Sequence, residues 1–188
     1  MHVIGTIASS ILKSNAAFDS IATASGTGSS GVITFSSIPS TYKHLQLRIL
    51  ARTNEVATGG ALMLLQFNGV STTSYAQHEI RGANGGSLTA ARYANQSQIE
   101  TAWYVRDSEL TNDYGVGIID ILDYASTAKY KTVRVYSGYE ANTGGSRMTL
   151  SSGLFMSTSA ISSLTLNGSA GSNSFLTGSK FALYGIKG

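Results

Sequence analysis

The chain's stock of chemically capable side chains is small: three histidines, ten carboxylates and no cysteine. Thiol nucleophiles, disulfides and Cys-ligated zinc are therefore excluded. His2, His44 and His78 stand at none of the short spacings that put two imidazoles on one metal. His44 and His78 read as ordinary strand-face residues. Asp120 and Asp123 flank an Ile-Leu pair. Residues three apart on a strand point to opposite faces, so the two do not form a carboxylate pair. Asp123 is placed to end a strand and cap the turn that follows. Asp120 interrupts an apolar run and needs a partner if buried, with Arg48 or Arg134 available to supply it. No Gly-x-Ser-x-Gly elbow occurs. The one match to Gly-x-Gly-x-x-Gly, at 26–31, precedes the strand-like GVITF instead of a helix, so it reads as a spacer and not as a phosphate cradle. The expectation is a protein without catalytic residues, cofactor or metal.

The aromatic residues leave more open. Ten tyrosines and one tryptophan are present. Trp103 sits in AWY, while Tyr75, Tyr93 and Tyr114 lie near Gly- or Asn-rich turns. Such rings fill cores, anchor protein interfaces or stack on sugar faces. All three uses stand at this point, and these four residues are the candidate glycan platform.

The net charge is +3, with the basic residues scattered and only 12% of the chain charged. No basic stripe marks a nucleic-acid groove. The balance supports at most a weak preference for an acidic surface. No run of apolar residues reaches the length of a membrane span. The first eighteen residues lack a basic start, and Lys13 breaks their apolar stretch, so no signal peptide is expected.

The elements that must position these residues are strands. Alternation puts Leu45, Leu47 and Ile49 on one face of 43–52, and His44, Gln46 and Arg48 on the other. Further strands are expected at 31–35, 61–67, 98–106, 116–122, 131–139, 147–157, 161–166 and 180–186. The run ALMLLQF at 61–67 predicts a strand covered on both sides. Gly, Asn and Ser clusters separate the strands, which is turn chemistry. About nine short strands with regular turns imply an all-β, antiparallel, jelly-roll-like sandwich. Asn15–Ala24 and Ala125–Lys129 each allow a turn or two of helix. Residues 1–30 read as an N-terminal arm with a Gly/Ser spacer, and 31–188 as the sandwich domain. In the arm, Ile11, Leu12, Lys13 and Phe18 are candidate partner-binding residues, since a segment that orders on binding must bury apolar side chains.

The chain also repeats itself. Residues 40–63 and 126–148 share Tyr-Lys, a Glu, Thr-Gly-Gly and a Met at nearly constant offset. Either two hairpins use the same turn residues, since Gly-Gly suits a tight turn, or the two hairpins hold equivalent places in a pseudo-symmetric sandwich.

The ending SKFALYGIKG, together with YKHLQLRILAR, IIDILDYASTAKYKTVR and SGLFMSTSAISSLTL, resembles a set of tailed-bacteriophage virion structural proteins. The resemblance covers 31–188. It implies a small sandwich displayed on the virion and carries over no catalytic residue. Two placements follow from it. One is a capsid decoration or cement protein, commonly a homotrimer, bound to the major capsid protein on the outer shell. The other is a tail or fibre-tip module that binds host surface glycans.

Overall fold

The computed structural model describes residues 17–55, 61–86, 88–106, 111–141, 145–168 and 173–188, with the backbone alone at 102–106 and 141. Twelve strands form from these residues: β1 (Phe18–Ser25), β2 (Val32–Phe35), β3 (His44–Thr53), β4 (Ala61–Phe67), β5 (Tyr75–Ala83), β6 (Thr89–Gln96), β7 (Ile99–Arg106), β8 (Gly115–Leu122), β9 (Lys131–Ala141), β10 (Gly145–Phe155), β11 (Leu164–Gly168) and β12 (Lys180–Ile186). They build two antiparallel sheets. The large one runs β1-β12-β3-β8-β9-β10-β5-β6, and the small one β2-β11-β4-β7. A short parallel bridge links them where Arg52 and Thr53 pair with Val105 and Arg106. The all-β sandwich expected from alternation is the fold observed.

The core lies between the sheets. Leu45, Leu47, Ile49, Ile119, Ile121, Val133 and Leu183 face inward from the large sheet and meet Met63, Leu65, Phe67, Ile99, Leu164 and Leu166 of the small one. Burial of this kind is worth about 1.5–3 kcal/mol for each large aliphatic side chain. The 61–67 run is fully buried on one face and half-buried on the other, so it is covered less evenly than expected.

Residues 18–24 are strand and not helix. Its two alanines favour helix, but Asp19, Ser20, Ile21 and Thr23 do not, and pairing with β12 supplies the backbone partners that decide it. An ion pair between Asp19 and Lys187, 2.9 Å, closes its start. The spacer is pinned as well: the Gly26 N–H donates to Ser179 O and the Gly28 N–H to Phe175 O. From residue 17 onward the N-terminal segment is part of the sandwich.

Ala125–Lys129 forms turns, with the Ser126 N–H donating to Asp123 O. Two strands that alternation did not reveal, β5 and β6, extend the large sheet through an Asn84-Gly85 turn. Both residues have positive φ (50° and 66°), and the Gly86 N–H closes the turn on Ala83 O. Positive φ at both central residues is the turn geometry that suits strands of right-handed twist, although the connection as a whole, from Ala83 to Thr89, is longer than the turn.

The sequence echo does not mark equivalent hairpins. β9 and β10 pair within the large sheet, whereas β3 and β4 belong to different sheets. Matching residues meet opposite surroundings. The Lys43 side chain is 57% exposed, while Lys131 is fully buried and donates to the carbonyls of Lys129 and Ser157. The pseudo-symmetric reading is set aside.

Candidate functional site

Strands β8, β9, β10 and β5 turn one face to the small sheet and the other outward. On β10 and β5 the usual polarity is reversed. Thr149 and Ser151 face inward, 3% exposed each, as do Gln77 and Glu79. Met148, Leu150 and Ile80 face outward, each more than half exposed. The inward hydroxyls of Ser137, Thr149 and Ser151 have no protein hydrogen-bond partner.

Cross-strand register turns the outward residues into rows. One row is Leu50, Val116, Gly138, Met148, Gly82. The next is Arg48, Ile118, Tyr136, Leu150, Ile80, and the third Gln46, Asp120, Arg134, Ser152, His78. Two largely apolar rows therefore cross five strands and are bordered by a polar one. Side chains opposite one another in adjacent strands touch, so the second row is a continuous surface, while the first is interrupted at Gly138 and Gly82. Contiguous exposed apolar surface of this extent marks a site of contact. Asp120 finds its partner in Gln46, whose amide donates to it at 2.9 Å, while the Arg48 guanidinium donates to the other end of Gln46 at 2.8 Å. The expected Arg48 partnership is thus made through an intervening amide.

At one end of the rows an open cleft of about 560 Å³ lies over Gly82 and Gly138, walled by Tyr114, Val116, Tyr136, Glu140 and Met148. The Tyr114 phenol is held by donation to Thr177 O, 3.2 Å. Asn84 fixes the far wall by accepting the Ser146 N–H at 2.8 Å. The Tyr136 hydroxyl leans to the Met148 sulfur at 3.5 Å.

Among the described residues, those singled out from sequence do not converge on one site. Tyr75 is a correction: it is fully buried, stacked on Phe155 with ring centroids 4.9 Å apart, its hydroxyl donating to Val70 O and accepting from Phe67 N–H. A ring so enclosed cannot stack on a sugar. Tyr93 lies on β6 with its hydroxyl 3.5 Å from Glu79 Oε1. Burial, followed by the charges of Glu79 and Glu100, pushes its phenol up. Tyr114 lines the cleft. The Trp103 backbone sits in β7 opposite Leu62, and its side chain lies outside the described residues. Ile11, Leu12 and Lys13 also lie outside them. Phe18 stands edge-on to Tyr184, with the Arg48 guanidinium 5.4 and 5.0 Å from the two ring centroids, at the margin of the outer face.

Of the histidines, His44 accepts the Asp123 N–H on Nδ1 at 2.9 Å, so Nδ1 bears no proton there and the 3.7 Å approach to the Asp123 carboxylate is not an ion pair. Among the described residues no group of three His, Asp or Glu side chains converges. One acidic cluster escaped sequence reasoning: Glu79, paired with Arg81 at 3.3 Å, lies close enough to Glu100 to act on it. Burial chiefly, and the Glu79 charge next, raise the Glu100 carboxyl, while Arg81 opposes them. The Glu79 side chain is only 2% exposed, which suits a structural ion pair better than a carboxylate meeting substrate. The available signal was the inverted alternation of QHEIR, polar inward and Ile80 outward.

The chain matches no known family model and no characterised protein.

Proposed function

We propose that the chain is a structural protein of a tailed-phage particle, a decoration or cement protein that binds the shell of major capsid protein from outside and works by adhesion, without turnover. The observation that carries this reading is the outer face of the large sheet. Its strands spend Met148, Leu150, Ile80, Ile118 and Tyr136 on the side away from the core, which favours a surface that protein covers in the working state. Among the described residues, His44 and His78 lie on separate strands, no metal-binding group converges and Glu79 is buried, which fits adhesion better than catalysis.

In this reading residues 1–16, with Ile11, Leu12 and Lys13, supply the contact with the shell, and the outer face joins copies of the protein on it. The glycan-binding alternative draws less from the geometry, since Tyr75 is enclosed and, among the described side chains of its aromatics, only Tyr114 lines the cleft.

The test is cosedimentation of the purified protein with empty capsids. Deletion must stop at Ala16, because β1 begins at Phe18. Saturable binding that is lost on deleting residues 1–16 is expected. Absence of saturable binding to capsids, with binding to host cells or arrayed bacterial oligosaccharides in its place, returns the alternative and ends this reading.

A further inference from the structure

We infer that the outer face of the large sheet docks a second copy of this chain about a two-fold axis lying between the two faces, perpendicular to the strands, at the level of Ser137. The inference rests on the reading of that face as an assembly surface and names what covers it.

The argument comes from register. Such an axis leaves each strand above its own counterpart, reversed in direction, and exchanges the positions on either side of Ser137. Gly117 on β8, Thr149 on β10 and Arg81 on β5 lie level with Ser137. Tyr136 therefore falls over the partner's Gly138, Ile118 over the partner's Val116, Leu150 over the partner's Met148, and Ile80 over the partner's Gly82. The same exchange brings Arg134, exposed on the polar row, to the partner's Glu140, exposed beside the cleft. Each contact occurs twice.

Shape agrees with charge. Tyr136 is the bulkiest outward residue of the central strand, and it meets the gap over Gly138. That gap is fixed by the backbone, for a Cβ on Gly138 would come within 2.9 Å of Arg147 O. The cleft of about 560 Å³ is thus the seat of the partner's ring. The other symmetric arrangement, with the axis parallel to the strands, sets Arg134 on Arg134 and Glu140 on Glu140. Like charges so placed oppose association. Arg48, the next cation, already stacks on Phe18 and Tyr184 at the margin.

The extent is sufficient. Five strands at about 4.8 Å and seven residues at about 3.4 Å cover on the order of 580 Å² in projection. With side-chain relief this approaches the roughly 800 Å² per partner of a specific complex. Two sheets meeting face to face at about 10 Å, as in a sandwich, give the side chains room to interdigitate.

The experiment is light scattering after size exclusion, on the full chain at micromolar concentration. A dimer is expected. Arg134→Glu should shift it to monomer, and Arg134→Glu combined with Glu140→Arg should restore the dimer. Both positions are exposed, so the fold is retained, and circular dichroism of each variant checks this. A wild-type monomer or trimer, or a dimer indifferent to both Arg134→Glu and Leu150→Lys, overturns the inference. The readout needs no capsid. A dimer that ignores capsids defeats the particle reading alone, and a monomer that binds them defeats this inference alone.

Discussion

A Cβ placed on Gly153 would stand 2.9 Å from Cδ1 of Ile99, so the glycine on β10 is the hollow into which β7 of the opposite sheet sets its isoleucine. The sheets thus lock at a specific pair rather than through general greasiness. Gly153→Val should overpack the site and destabilise the protein by about 1–3 kcal/mol. Chemical denaturation should show a lower midpoint with unchanged slope. Adding Ile99→Ala should recover part of the loss, and additive effects of the two changes would count against the hollow.

Tyr75 makes a different prediction because its ring and its hydroxyl do separate work. The hydroxyl spans Val70 O and Phe67 N–H, closing the Asn68-Gly69 turn onto the core. Tyr75→Phe removes that bridge and leaves the buried Phe67 N–H and the half-buried Val70 O short of a partner. A loss of about 1–2 kcal/mol is expected. Tyr75→Ala should cost more, about 3–5 kcal/mol, since it also opens a cavity beside Phe67 and Phe155. Thermal or urea unfolding of both variants checks the order.

Much of the fold could be read from alternation, and the places where it could not are informative. In 43–52 and 131–139 one face is plainly more apolar, and the strands fall within a residue or two of expectation. In β10 the two alternating sets are Met148-Leu150 and Thr149-Ser151, and hydropathy alone sends the first set inward. The structure does the reverse. The same inversion hid β5, whose inward side chains after Tyr75 are Gln77, Glu79 and Arg81. The candidate site was illegible for that reason: it consists of the apolar residues that pattern reasoning assigns to the core. At 18–25 the error ran through local propensity, which is too weak in a short Ala/Ser/Thr segment to compete with a waiting edge strand, β12.

Asp123 ties the β8–β9 turn to β3 and should report on pH. Hydrogen bonds first from Lys129 and then from Lys43 hold its carboxyl down to about 2, from 3.8. A depressed carboxylate contributes stability that is present above its unfolded value and lost as pH falls through its folded one. The window is therefore about pH 3.8 to 2. Asp123→Asn should leave stability flatter across that interval than the wild type, measured as melting temperature against pH. Parallel curves for the two proteins would remove Asp123 from the acid limb.

The inward hydroxyl of Thr149 is the most direct probe of the inverted strand. It is 3% exposed, lies level with Ser137 and Arg81 across the sheet, and its oxygen has no protein partner. Burying an unpaired hydroxyl opposes folding by about 1–3 kcal/mol. Thr149→Val keeps the shape and removes that penalty, so it should leave stability unchanged or raise it by about 1 kcal/mol. The comparison variant is Leu150→Thr on the outward face. It should barely alter the stability of the free monomer while weakening the proposed self-association, because Leu150 is 54% exposed in the single chain and would be covered in the proposed dimer. Unfolding measured at several protein concentrations separates the two effects: the Leu150 variant should lose the concentration dependence that the Thr149 variant keeps. A large destabilisation by Thr149→Val would mean instead that ordered water bridges the hydroxyls of Ser137, Thr149 and Ser151, and the interior at that end of the sandwich would then be wet.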